Sequence, residues 1–594
     1  MARRIRFVAW SALAFALLAV PLVGAPPAVA DSDSLAERSD SRFELLPKQG
    51  VVRVKVTLAL TSLQRDKVSI VPCPSNPAYR CRLTTRYYTN QWGYVWVPGT
   101  ATDFTVRGAT ARMEENTGGW RNYLLSFSPI YYGQTRRITV TYTLPNGKPR
   151  SANPVRVTDA YAHFCWHGQA TDTGSVIASL PKGYAQDSFG DKVKVKRTGS
   201  GLELRAARTR DLGEFFACTD AFDAARLITT TTTSPSGRDI VVQAWPEDPT
   251  WSTAMTGAVG RMVPELEAHV GLPIPGEGEI TVREVARQAL RGYAGEYRTG
   301  SDTIRINERY DDQGLIAHEL AHAWFDGDIS EAEWITEGFA SYLEMAVQDG
   351  VCDRIEPEDG AKPLTAWSYL PLRPTDAQEA RVDYQYASAC TIHQQLADVI
   401  GEDGMRDVMQ VLLTNGRAYG WTAPPAEVPD GAVPDPSALP GPSASPAALL
   451  PSQVVPDVIG GQVGRDRLVD WKEWLDVVEE VGLVPADAPD RALAERLLLD
   501  YGIVKPKDLK GRDEARVAYR TLVRSLDGQE APLIVRDLMD RWRFKDAQTA
   551  IEVGTDVAAA LEVSTATMLP ADAEAAWAAF SEARTLKALR ALGG

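Results

Sequence analysis

The chain has 594 residues, 44% of them hydrophobic and 24% charged, with six cysteines and six histidines. The hydrophobic share builds sizeable cores and excludes global disorder, and at roughly 150 residues per domain the length excludes a single small module. A formal net charge of −15 excludes nucleic acid as the main partner, because phosphate binding needs basic surface.

At the N-terminus Arg3, Arg4 and Arg6 precede an apolar run from Phe7 to Gly24, and Ala28-Val29-Ala30 follows. This pattern predicts a cleaved signal peptide over residues 1–30 and a secreted or extracytoplasmic chain. No later stretch is apolar for long enough to span a bilayer, so no transmembrane segment is expected in the mature chain. Six cysteines in an exported chain predict three disulfides. Proximity in sequence favours Cys73–Cys81, Cys165–Cys218 and Cys352–Cys390, and none of them has metal-site CxxC spacing.

Residues 31–225 read as an antiparallel β-sandwich-like domain. Val52, Val54, Val56, Leu58 and Leu60 alternate with Arg53, Lys55, Thr57 and Ala59, the period-2 pattern of a half-buried strand. Ile138, Val140, Tyr142 and Leu144 repeat it up to a Pro145-Asn146-Gly147 turn, and Gly199-Ser200-Gly201 joins two short alternating runs as a hairpin. Residues 226–415 are mixed: strand patterns at Asp239–Ala244, Glu279–Val282 and Thr303–Ile306 are interleaved with helical patterns at Gln313–Phe325, Glu331–Val347 and Tyr386–Ile400. Ten prolines fall between Pro424 and Pro456, which marks 416–460 as a linker or long loop. From 461 to 594 apolar residues recur at helical spacing, as with Ile534, Leu538 and Trp542, and an all-helical domain is expected.

The segment that carries chemistry is His318-Glu319-Leu320-Ala321-His322. On a helix, i and i+4 share a face, so two imidazoles can grip one zinc ion with Glu319 beside them as a general base. Catalytic zinc takes a third protein ligand and keeps one position for water. His163 and His167 are also four apart, but in strand-like sequence that spacing separates them by about 13 Å, which favours structural roles. His269 and His393 are lone histidines without ligand spacing.

HELAHAWF followed by WITEGFASYLE resembles the zinc site of gluzincin metallopeptidases of the aminopeptidase N type. The resemblance implies a thermolysin-like catalytic domain over 226–415 and one zinc ion per chain on His318, His322 and Glu337, with Glu319 as general base. Fourteen residues separate His322 from Glu337, fewer than in most members of the family. Glu344 lies two helical turns beyond Glu337, where it can hold a ligand histidine from behind. The family's oxyanion-stabilising tyrosine corresponds to Tyr386, with Tyr384 as the alternative. Its amine-binding GAMEN-like segment corresponds to Gly292–Tyr297, where only Ala294 and Glu296 match. A Cys352–Cys390 bridge would tie the tyrosine helix to the glutamate helix.

The resulting expectation is an exported zinc peptidase acting on peptides or proteins through zinc-activated water. An aminopeptidase is the first form. An endopeptidase of the same fold, a catalytically idle envelope binding or scaffold protein, and a hydrolase of non-peptide bonds stand as alternatives. Substrate preference, oligomeric state and the role of the helical tail are open at this point.

Overall fold

A computed structural model describes residues 34–73, 75–310, 312–357, 362–371, 375–419, 468–482, 493–525 and 531–560. The expected leader and the whole proline-rich stretch lie outside the described residues. The architecture is multidomain α+β, with a β-rich N-terminal part and helices later in the chain.

The alternating run at residue 51 becomes the strand Val51–Ser62, and its even-numbered apolar residues from Val52 to Leu60 are fully buried. It pairs antiparallel with Leu35–Leu46 and with Thr135–Pro145 in a seven-stranded sheet. The Gly199-Ser200 turn joins Val193–Thr198 to Gly201–Ala206 at one edge of that sheet. One pairing is parallel, between Leu35–Leu46 and Thr173–Pro181. A second sheet holds Tyr161–His167 between Arg156–Val157 and Phe216–Phe222, with Ala185–Gly190 at its far edge. The bridge Cys165–Cys218 joins directly paired residues of its two central strands.

A five-stranded mixed sheet opens the next part, in the order Ile228–Thr233, Asp239–Ala244, Ile280–Val285, Thr303–Asn307, Gly295–Arg298. Around it pack α1 (Pro249–Val270), α2 (Gln313–Ala321), α3 (Glu333–Ala346) and α4 (Asp376–Leu413). A Thr375/Gln378 capping box starts α4, and Gly401, at φ 76°, breaks its course where a side chain would be strained. The core does not stop at 415. The same apolar cluster takes in Trp474 and Val478 of α5 (Trp471–Val477) and the turn after it, and Leu497 and Leu498 of α6 (Leu493–Asp500). A separate small cluster forms between Tyr419, α7 (Arg512–Ser525), α8 (Leu533–Asp540) and α9 (Phe544–Ala560). Among the described residues no helix is long and apolar enough to cross a membrane.

The seam between the β-rich part and the mixed sheet sets buried ion pairs beside a small apolar cluster. Arg156 pairs with Glu308 at 3.3 Å, both almost fully buried. Asp220 receives Arg305 at 2.6 Å, His163 at 3.0 Å and the Tyr161 hydroxyl. Tyr161 stacks on Trp245 and its oxygen accepts from the Ala286 amide. Burial alone would raise the Asp220 carboxyl, but His163 and Arg305 hold it below its ordinary value.

Candidate metal centre

Asp312 caps α2 through the Gly314 amide and sets the helix running so that His318 and His322 share its inward face. The helix ends at Ala321, short of the expected Phe325. The Trp324 and Phe325 amides both fold back onto the Ala321 carbonyl, which turns the Phe325 carbonyl toward His322. His322 Nδ1–H donates to that carbonyl at 2.9 Å. His318 Nδ1 sits 3.3 Å from Glu344 Oε2. With both Nδ1 atoms committed to acceptors, both Nε2 atoms are left to face the same point. That point is Glu337 Oε2, 3.2 Å from His318 Nε2 and 3.4 Å from His322 Nε2.

The donor set is two imidazole nitrogens and a carboxylate oxygen in mutual reach, and it fits zinc. Burial opposes charge on each imidazole, yet Glu337, and for His318 also Glu344, raises both above the ordinary value. Glu337 itself is held far below its ordinary range by the two histidines, against the effect of burial. The trio therefore attracts positive charge between its members, which a divalent cation supplies.

Glu319 is buried beside this trio. Burial first, then the Glu337 and Glu296 carboxylates, push it up to about 7 against the two imidazoles. Gly295 makes its position tenable, because a Cβ there would come within 2.3 Å of Glu319 Oε1. Tyr386, on α4, lies 6.2 Å from His318 between ring centroids, near the Glu337 carboxylate. Burial, then Glu337, hold its hydroxyl well above the ordinary value, so it stays protonated. Tyr384 lies instead beneath Arg381 and near Tyr501.

Glu296 is on the edge strand Gly295–Arg298, and its Oε2 is already taken by Arg305 at 2.9 Å and Arg298 at 3.3 Å. Asp187 braces the same two arginines. The Ala294 carbonyl accepts from the Asn307 amide, which fixes the entry to that strand. Disulfides join Cys73–Cys81, Cys165–Cys218 and Cys352–Cys390. The last of these joins the loop after α3 to α4, where Thr391 Oγ donates to the Asp353 carbonyl. His163 and Cys165–Cys218 also cluster, but both sulfurs are spent in the bridge. His167 packs against Phe43 and Trp120, and His393 is buried with its Nδ1 on the Ala389 carbonyl. His269 lies in the last turn of α1.

Three residues of the site were missing from the sequence expectations. Gly295 clears Glu319, Gly314 clears Gln348 and Glu344, and the Phe325 carbonyl orients His322. None announces itself in sequence, because the first two act by what they lack and the third by its backbone.

No family model matches the chain. Endoplasmic reticulum aminopeptidase 2 of Homo sapiens is 30% identical over 107 residues, 15% of this chain. The match spans 11% of that relative's length. Among solved structures, an M1 zinc metallopeptidase from Deinococcus radiodurans is 14% identical, at a TM-score of 0.26 over 64% of this chain and 86% of that one. A mutant two-domain M1 zinc metallopeptidase bound to L-arginine is also 14% identical, at a TM-score of 0.31 over 78% of this chain and 94% of that one.

Proposed function

We propose that the chain is a zinc-dependent peptidase working outside the cytoplasm. The observation that carries this is the convergence of His318 Nε2 and His322 Nε2 on Glu337 Oε2, with both Nδ1 atoms anchored and Glu319 buried alongside. His318, His322 and Glu337 would hold one zinc ion, which supplies Lewis acidity and makes a water acidic near neutral pH. Glu319, with its carboxyl near 7, accepts that proton and returns it to the leaving amine. Tyr386 stays protonated, so it donates a hydrogen bond to the oxygen that gains negative charge as the peptide carbonyl is attacked. The edge strand Gly295–Arg298 offers its open side to an extended substrate backbone. Export follows from the expected leader together with the three disulfides.

One observation favours a second form of this reading. The carboxylate expected to bind a free N-terminal amine is Glu296, and its Oε2 is already engaged by Arg305 and Arg298, which it shares with Asp187. This favours cleavage that does not require a free amine. Metal analysis of the purified chain, with mass-spectrometric digestion of free and N-acetylated peptide libraries, tests both forms. About one zinc per chain is expected, with hydrolysis lost in Glu319→Gln while zinc is kept. A metal-free protein, or a Glu319→Gln variant that cleaves at the original rate, would overturn the peptidase reading. Strict dependence on a free amine would restore the aminopeptidase form.

A further inference from the structure

The disulfide Cys73–Cys81 closes a two-stranded hairpin, Lys67–Cys73 against Asn76–Thr85. An isolated hairpin is marginal in water. This one is held by a covalent bridge while nearly all of its described residues face solvent. Several of the exposed side chains are large and apolar, which such a position does not favour. Ile70 is 71% exposed, Val68 47%, Leu83 53% and Tyr79 68%. Directly opposed residues share a face, so Val68–Thr84, Ile70–Arg82 and Pro72–Arg80 form one surface on which apolar and basic groups alternate across the strands.

The charge of this segment opposes that of the chain. From Lys67 to Arg86 there are four basic residues and no acidic one, in a protein of net charge −15. At the hairpin's base Arg65, Asp66, Arg86, Tyr131, Tyr132 and Gln134 line a cleft of about 640 Å³. Arg65 lies over the Tyr132 ring and donates to its hydroxyl at 3.0 Å. Asp66 faces Arg86 at 3.9 Å and offsets one of the two guanidiniums. Exposed apolar side chains with arginines beside them along one face of the hairpin, and tyrosines at its base, match the demands of a bilayer interface. There, apolar groups enter the acyl boundary, cations meet phosphate, and tyrosines sit at headgroup level.

We propose that this hairpin docks the protein on the surface of an anionic lipid bilayer, with Ile70 and Val68 entering the interface and Arg80, Arg82 and the Arg65/Arg86 cleft taking headgroup phosphates. The test is co-sedimentation of the full chain with vesicles of phosphatidylcholine alone or mixed with phosphatidylglycerol. Binding is expected on the anionic vesicles, weakening as salt rises. Arg80→Glu combined with Arg82→Glu should weaken it at least tenfold, since each basic residue contributes about fivefold, and Ile70→Asp several-fold. Unchanged peptide hydrolysis in both variants certifies their fold. Equal binding to neutral vesicles, or unimpaired binding by the double variant, overturns the proposal. Sedimentation velocity showing a dimer that the double variant abolishes would overturn it in favour of a second copy. Competition by soluble polyglutamate, with Ile70→Asp without effect, would overturn it in favour of a soluble polyanion.

Discussion

At the scale of single residues, the site depends on atoms that are absent. Gly295→Ala would drive a methyl group into Glu319 and force its carboxylate to shift. The expected result is a fall in kcat of about 100-fold or more, in the range of a lost general base, with zinc retained by metal analysis. Glu344→Ala should leave the chain folded and weaken zinc binding by about 10- to 100-fold, the usual cost of losing a histidine's rear partner. Competition with a chelator reads this out. A third residue makes a pH prediction. Glu284 is fully buried and its carboxyl is pushed up to about 10, by burial first and then by Asp248, against the Trp245 amide it accepts from. It folds in its neutral form, so its contribution is complete below the unfolded value of 4.5 and is lost as pH rises toward about 10. Glu284→Gln mimics the neutral form. It should match the wild type near pH 5 and melt progressively above it toward pH 9; parallel melting curves would contradict this.

At the scale of elements, α3 and α4 stand as close as Gly338 permits. A Cβ there would lie 2.4 Å from the His393 ring and 3.1 Å from the Ala389 carbonyl. Because part of that contact is backbone, the helices would have to separate, and Tyr386 would leave Glu337. Gly338→Ala is expected to cost about 1–3 kcal/mol in denaturant unfolding and to lower kcat more than it changes KM. Much of this level was legible in sequence. The period-2 run from Val52 to Leu60 is a buried strand face, and the HELAH and ITEGF segments are helices whose named side chains meet. Helix ends were less legible. The early stop of α2 comes from Phe325 reaching back to His322, a contact with no periodic signature. The two candidate tyrosines fall on different sides of α4, which begins at Asp376, ten residues before Tyr386, so its face could not be read from Tyr386 onward. The Glu296 ion pairs lay beyond sequence because Arg305 reaches it across paired strands.

At the scale of the whole molecule, composition drew units separated by a proline-rich break, whereas the packing joins residues on both sides of it. Trp474 of α5 meets Trp334 of α3 edge-on, and Ser330 Oγ donates to the Val469 carbonyl at 2.7 Å. No local pattern encodes such contacts, since the partners are far apart in sequence. The seam at Asp220 is of the same kind. Asp220→Ala would strip Arg305 of its closest buried partner and is expected to cost about 3–5 kcal/mol, measured by urea unfolding. The strand Thr303–Asn307 that carries Arg305 also carries Gly295–Arg298, the edge beside Glu319. Its rear is thus fastened to the β-rich part at several places, Arg156 to Glu308 and Asp220 to Arg305 among them. The two parts are therefore not interchangeable cassettes. A foreign β-domain grafted in front of residue 226 would leave Glu308 and Arg305 charged, dry and short of a partner, unless it brought an arginine and an aspartate to the same two points. In this chain, inheritance of the catalytic half is tied to inheritance of its neighbour.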